Sequence, residues 1–297
     1  MELPRIGIGT AGFSGIYNNI TAHECGNIVD KAIANKLNYF DSSPFYGNGC
    51  SEKILGNCLT KYNRDKYFIS SKAGNCNGQY KYGYYDVTSA VMNSLKNLGI
   101  KYFDIVFIAD IDRCSSLDYV IKESLPALLY LKQNGFIKKI GISGIILEQL
   151  EYVRNNFNID CIMTYCCYSL INNTLLNYIS RWKNDNITIV QGGVTSMGLL
   201  TPQGPPCWHP ASDEIKICCR KLNEFCHNKN INIVENAFYY IYLNKDIDII
   251  LIGPTVITQL NNYIDWLQQI YSNNKEHILT LVQMARPIQN KLWVDLF

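Results

Sequence analysis

A short apolar run followed by a helical stretch recurs eight times along this chain, and few folds accept that pattern. The predicted strands are Arg5–Thr10, Leu37–Phe40, Tyr67–Ser71, Phe103–Ile108, Ile137–Ile142, Ile159–Thr164, Ile187–Val190 and Ile247–Ile252. Helical periodicity covers Ala22–Asn35, Ser51–Leu59, Asp86–Leu98, Tyr119–Gln133, Leu147–Asn155 and Leu175–Trp182. A long loop, Gly198–Ala211, then leads into helical sequence from Ser212 to about Tyr242, broken near Asn230. A helix over Ile257–Ile270 follows, and residues 275–297 read as a terminal helix and tail. Regular alternation with short connections means parallel strands joined by right-handed crossovers. Eight such units in 297 residues predict an α/β chain folded as one closed (β/α)8 TIM barrel. An open doubly wound sheet is the rival. It would carry G-x-G-x-x-G between the first strand and helix. Gly7-Ile8-Gly9 is a different pattern, because Gly12 lies in a long loop before the helix.

Composition narrows the function classes. A net charge of +2 gives no electrostatic case for a nucleic-acid partner. No apolar run approaches the roughly 20 residues needed to span a membrane, and the N-terminus lacks a signal-peptide plan. The expectation is a cytoplasmic protein with a small-molecule partner, monomeric or weakly homo-oligomeric. None of the twelve cysteines forms a C-x-x-C pair, and the four histidines are scattered, so no metal site is expected.

The stretch Phe40–Glu52, F-D-S-S-P-F-Y-G-N-G-C-S-E, carries the chemistry. Asp41 ends the second predicted strand, Tyr46 lies in the loop after it, and a helix is expected to start with Ser51 as its N-cap and Glu52 in its first turn. Lys72 ends the third strand. In a barrel those strand ends meet at one rim, where active sites are built. An ammonium beside a phenol is expected to lower the tyrosine pKa, with the carboxylate holding the lysine. Such a phenol can exchange a proton with a carbonyl or alcohol. A plain salt bridge at the rim is the competing reading.

Phe40–Gly47 is similar to the first signature of the aldo-keto reductases, F-D-[ST]-[SA]-x-x-Y-G. Further likeness lies in S-E-K-I-L-G at Ser51–Gly56 and in the loop M-G-L-L-T-P-Q-G-P-P-C-W-H-P-A-S at Met197–Ser212, where the chain most resembles the L-galactose dehydrogenase and aldose 1-dehydrogenase branch. The resemblance runs from about Arg5 to Leu267. It implies a (β/α)8 oxidoreductase that binds NAD or NADP and acts on a sugar or other carbonyl compound. It matches Asp41, Tyr46 and Lys72 to three members of the family's catalytic tetrad, with Tyr46 as general acid/base. The fourth member is normally a histidine in D-I-x-x-x-H-D. Here the run Asp104–Asp110 puts Ala109 at that position, followed by Asp110. Alanine offers no side-chain hydrogen bond, and losing such a donor costs on the order of 10²-fold in rate.

The same resemblance carries over cofactor positions. Gly9, Thr10 and Asp41 lie at the first two strand ends. Ser143 and Tyr165 match positions on the nicotinamide amide, with Gly144 in place of the usual polar partner of Ser143. Gly193 and Thr195 lie where the pyrophosphate passes, within Gly192-Gly193-Val194-Thr195, a run that also reads as a plain turn. Gly253, Thr255, Gln259 and Asn262 match the adenosine segment, with Tyr263 where an asparagine is common. No Lys or Arg lies between Gly253 and Asn262 to meet a 2′-phosphate, which favours NAD over NADP. Trp208 and His209, with Tyr46, are candidate substrate contacts, although His209 also reads as a loop-structuring residue. Two functions follow: a sugar dehydrogenase, or a dinucleotide-binding regulatory partner that lost turnover with its histidine.

Overall fold

Eight parallel strands close on themselves in the computed structural model, which describes residues 3–76, 78–269, 275–291 and 293. They are β1 (Ile6–Gly9), β2 (Tyr39–Asp41), β3 (Phe68–Ala73), β4 (Phe103–Ile108), β5 (Ile137–Gly144), β6 (Cys161–Tyr165), β7 (Thr188–Gly192) and β8 (Ile249–Ile252). Each pairs with its sequence neighbours, and β1 closes the ring by pairing Ile6 with Ile250 of β8 and Gly9 with Asp41 of β2. The predicted closed barrel is therefore the fold. No helix among the described residues is long and apolar enough to cross a membrane.

The helices form the outer layer: α1 (Ala22–Ala34), α2 (Cys50–Leu59), α3 (Tyr84–Leu98), α4 (residues 117–133), α5 (Leu147–Asn156), α6 (Leu176–Asn184), α7 (Asp213–Asn228), α8 (Ile233–Tyr242), α9 (Ile257–Gln268) and α10 (Lys275–Met284). A π-helical turn over Val120–Ser124 interrupts α4, which starts two residues earlier than periodicity predicts. The predicted end of α9 at Ile270, and the tail at residues 292 and 294–297, lie outside the described residues.

The interior of the barrel is filled rather than open. Tyr39, Phe107, Met163, Val190 and Leu251 point inward from alternate strand positions. Glycine makes room for the two largest: a Cβ at Gly7 would lie 2.3 Å from Tyr39 Cδ1, and one at Gly141 would lie 2.6 Å from Phe107 Cδ1. Gly7 therefore serves barrel packing.

Several element starts differ from the sequence reading. Leu37 is buried, but its N–H closes the turn after α1 on Ala32 O, so β2 begins at Tyr39 and includes Asp41. Ser51 is not an N-cap. That position falls to Gly49, in the left-handed region at φ +80°, and the Ser51 hydroxyl donates to Thr10 O at 2.7 Å. Glu52 is fully buried and braces two elements, accepting from Ser71 Oγ at 2.7 Å and Asn97 Nδ2 at 3.0 Å. Asp86 sits inside the first turn of α3, whose cap is Gly83. An antiparallel hairpin, Asn75–Cys76 with Gln79–Tyr80, follows β3 and has no apolar alternation to announce it.

Gly56 of α2 lies against the end of α3, where an added Cβ would be 2.7 Å from Leu98 O and 2.8 Å from Leu98 Cα. These are backbone atoms and cannot turn aside. Gly56→Ala is therefore expected to destabilise the protein by about 1–3 kcal/mol in urea unfolding. A neutral substitution would mean that α2 and α3 separate freely.

Candidate active site at the carboxyl end of the barrel

Extending the inward alternation by one step gives the top layer of the barrel: Gly9, Asp41, Lys72, Ala109, Ser143, Tyr165, Gly192 and Gly253. The layer has two unlike halves. Asp41, Lys72, Ser143 and Tyr165 bring polar groups, whereas Gly9, Gly192 and Gly253 bring no side chain. A Cβ at those glycines would first meet another atom at 3.7, 3.5 and 3.9 Å, so each leaves space that a side chain would fill. Gly9 and Gly253 are neighbours at the seam, which makes the glycine half continuous.

Asp41 and Lys72 meet because of register. Asp41 pairs with Ser70, and Lys72 lies two residues further along the same face of β3. Lys72 Nζ donates to Asp41 Oδ2 at 2.6 Å and to Ser42 O at 2.9 Å, and lies 3.5 Å from Tyr46 OH. The second Asp41 oxygen accepts from Ser70 Oγ at 2.7 Å, and Ser70 Oγ in turn accepts from Tyr39 OH at 2.8 Å. Burial works against the ammonium, yet Asp41 and then Tyr46 outweigh it and hold Lys72 above its ordinary pKa. The expected lowering of the Tyr46 pKa is corrected by the geometry. Burial of the phenol is the largest influence, and Lys72 offsets it only in part because Asp41 pulls the other way, so the phenol lies above 10.0.

The structure thus brings Asp41, Tyr46 and Lys72 together at the rim. Ala109 is buried beside them, its N–H donating to Ala73 O at 2.7 Å. Ser143 is buried, its Oγ accepting from Asp110 N at 3.3 Å. Tyr165 sends its hydroxyl over β5 to Asp110 Oδ1 at 3.1 Å. Gly144 has a specific neighbour. A Cβ there would lie 2.6 Å from Asp112 Oδ1, so this carboxyl occupies the space a side chain at position 144 would take.

The other expected contacts lie outside this layer. Thr10 is fully buried and cross-braces β1 and β2, its Oγ1 donating to Asp41 O at 3.0 Å and accepting from Ser51 Oγ at 2.9 Å. Gly193 has φ +73°, and a Cβ there would lie 2.6 Å from Cys166 Sγ, so packing and turn geometry account for that glycine. Thr195 is half-buried in the same turn. Gln259 uses its side-chain oxygen on Thr255 N at 2.8 Å, which fixes the start of α9, while Asn262 is exposed on that helix. Tyr263 is core, packed on Phe238 and Trp266 at 5.2 and 5.0 Å between ring centroids. His209 is buried, with Nε2 on Ser196 O at 3.1 Å and Nδ1 accepting from Ala211 N at 3.0 Å. Both ring nitrogens are spent on the loop, which excludes it as a stand-in for the missing histidine. Trp208 is exposed and stands 5.8 Å from the Tyr17 ring. Tyr17 had no signal in the sequence. Burial, then Tyr46 and Cys166, push its phenol up to about 12.

Eleven cysteines are free, and burial raises the thiols of most of them, Cys166 and Cys167 included. Among the described residues, no group of three or more His, Cys, Asp or Glu is arranged to hold a metal ion.

With this fold and rim in view, comparison with known proteins is direct. The profile of the Aldo/keto reductase family matches residues 5–277, and the chain belongs to that family. It is 30% identical to L-galactose dehydrogenase of Arabidopsis thaliana over 99% of this chain and 94% of that protein. It is 27% identical to D-arabinose 1-dehydrogenase of Saccharomyces cerevisiae, over 91% and 84% of the two chains. The fold is shared with the holo form of aldo-keto reductase AKR11C1 from Bacillus halodurans, with a TM-score of 0.75 at 22% identity over 93% of this chain and 91% of that one.

Two outcomes test the electrostatics. Asp41→Asn leaves the Lys72 ammonium buried without its counter-charge and is expected to cost about 3–5 kcal/mol in urea unfolding. Adding Lys72→Met should recover much of that loss, and a single-variant cost under about 1 kcal/mol would refute the buried pair. The second concerns Asp112, raised from 3.8 to about 6 by burial and then by Asp110. The folded carboxyl keeps its proton where the unfolded one has lost it, so stability falls as pH rises through this window. Asp112→Asn should therefore raise the melting temperature at pH 7.5 and give no gain near pH 4.

Proposed function

We propose that this chain is an NAD(P)-dependent oxidoreductase that acts at C1 of an aldose such as L-galactose, or at a related carbonyl. The observation that carries this reading is Lys72, buried at the barrel mouth and reaching both Asp41 and Tyr46. A salt bridge alone would not require a phenol 3.5 Å from the ammonium. A bound nicotinamide would supply the two-electron hydride chemistry that side chains lack. The residues present fit such a group: the glycine half of the rim leaves space, and Tyr165, paired with Gly192, stands at its edge. NAD is favoured over NADP because Gly253–Asn262 offers no cation to a 2′-phosphate.

Tyr46 exchanges the proton. Its raised pKa keeps the phenol protonated at neutral pH, ready to protonate a carbonyl oxygen in reduction. In oxidation the phenolate takes the proton of the C1 hydroxyl, and Lys72 stabilises that anion. Asp41 holds Lys72 in place, and Ser70 and Tyr39 hold Asp41. The L-galactose dehydrogenase relative supports the choice of sugar.

The test is NADH formation from NAD⁺ and L-galactose by the purified protein. Turnover should rise with pH between 7 and 10, as the phenolate fraction grows. Tyr46→Phe should lower kcat by about 10²–10⁴-fold while dinucleotide binding, followed by fluorescence, persists. Ala109→His is run alongside. Activity confined to that variant would favour the regulatory, dinucleotide-binding alternative for the natural chain.

A further inference from the structure

Where the mouth lacks an imidazole, the next residue is held in an uncommon conformation. Asp110 has φ +47°, in the left-handed region that aspartate tolerates better than bulkier residues. Neighbours fix it. Tyr82 OH donates to Asp110 O at 2.7 Å and to Ala109 O at 3.0 Å, and Asp110 N donates to Ser143 Oγ at 3.3 Å. Backbone strain held this firmly beside a site points to use of the side chain.

The carboxylate is only partly satisfied. Tyr165 OH donates to Oδ1 at 3.1 Å, and Asn75 Nδ2 lies 3.4 Å from Oδ2, a long contact. A carboxylate has about four acceptor sites, so capacity remains. Asn75 adds an independent observation. It is 2% exposed, and its Oδ1 is buried without a hydrogen-bond partner. A buried amide oxygen of this kind calls for a donor. The Asn75 oxygen and the Asp110 carboxylate are both acceptors, and the two side chains lie together. Asp110 also lies at the rim, since Tyr165 of the top layer donates to its carboxylate.

We propose that Asp110 and Asn75 form the acceptor side of a sugar subsite that grips the hydroxyl on the carbon next to the reacting one, with Tyr165 and Tyr82 as positioning residues for Asp110. This rests on the oxidoreductase reading above and names its substrate class. The substrate is a neutral polyhydroxy carbonyl compound carrying that neighbouring hydroxyl. Simple aldehydes leave both acceptors unmet, and sugar phosphates or sugar acids bring like charge towards Asp110. The subsite also supplies fixation of the substrate on the side where Ala109 provides none.

The experiment is a titration of the protein, saturated with NADH so that no turnover occurs, with L-galactose and with 2-deoxy-L-galactose, followed by calorimetry. The parent should bind L-galactose about tenfold or more tightly than the deoxy sugar, as expected for a hydrogen bond to a charged acceptor. Asp110→Asn should bring the two sugars to within about threefold. Asparagine keeps the shape and accepts a positive φ, so the variant should fold, which its melting curve verifies. Asn75→Ala should narrow the same ratio by a route that leaves the Asp110 charge intact. Tyr165→Phe should raise KM for L-galactose more than it lowers kcat. An unchanged ratio in Asp110→Asn overturns the proposal, as does a parent without preference, including one that binds neither sugar. A parent that binds no NADH overturns the oxidoreductase reading instead, and the sugars are then compared without dinucleotide by the same criterion.

Discussion

A primary ammonium buried in the top of a barrel is tolerable only if charge and hydrogen bonds replace the water it has lost. Lys72 meets that condition through Asp41 and Ser42 O, and each of these is itself held. Asp41 leans on Ser70, Ser70 on Tyr39, and Tyr39 fills the barrel interior beside Gly7. The charge at the mouth is thus anchored in the packing below it. The register of β2 on β3 sets the arrangement, since a slip by one residue would turn Lys72 outwards among the helices.

The same chain of support explains which residues were legible in the sequence. Strand-helix alternation fixed the fold class because a parallel sheet is covered on both faces and its strands read as apolar runs. Asp41 and Lys72 stood out because both sit at the ends of predicted strands and Asp41 falls in the family's signature. Residues whose importance arises only in three dimensions stayed hidden. Thr10 and Ser51 read as a ligand contact and a helix cap, yet they bond to each other between the end of β1 and the first turn of α2. Leu37 read as strand because it is apolar, but it is buried by a turn. Asn75 lies in a hairpin of two-residue strands, too short and too polar to carry a period. The sign of the Tyr46 shift was also out of reach, since the ammonium is visible in the sequence and the burial of the phenol is not.

Ala109 gains meaning from its surroundings. The position belongs to the top layer, yet Tyr82, Asp110 and Tyr165 hold the neighbouring backbone and rim in a defined arrangement. Beside the alanine, Asp110 is held at a positive φ by several hydrogen bonds. The polar half of the rim is organised around the alanine.

The seam between β1 and β8 has a consequence for how the protein is made. Ile6 pairs with Ile250, so the ring cannot close until the chain through β8 has left the ribosome. Until then β1 and the most recently completed strand each present an unpaired edge, the kind of surface on which nascent chains aggregate. Contacts this distant in sequence also slow folding, because the loop entropy is lost before the pairing energy is gained. A fragment ending before Ile249 would keep both edges permanently, and a chaperone that shields nascent strands should matter more to this protein's yield than to its final stability.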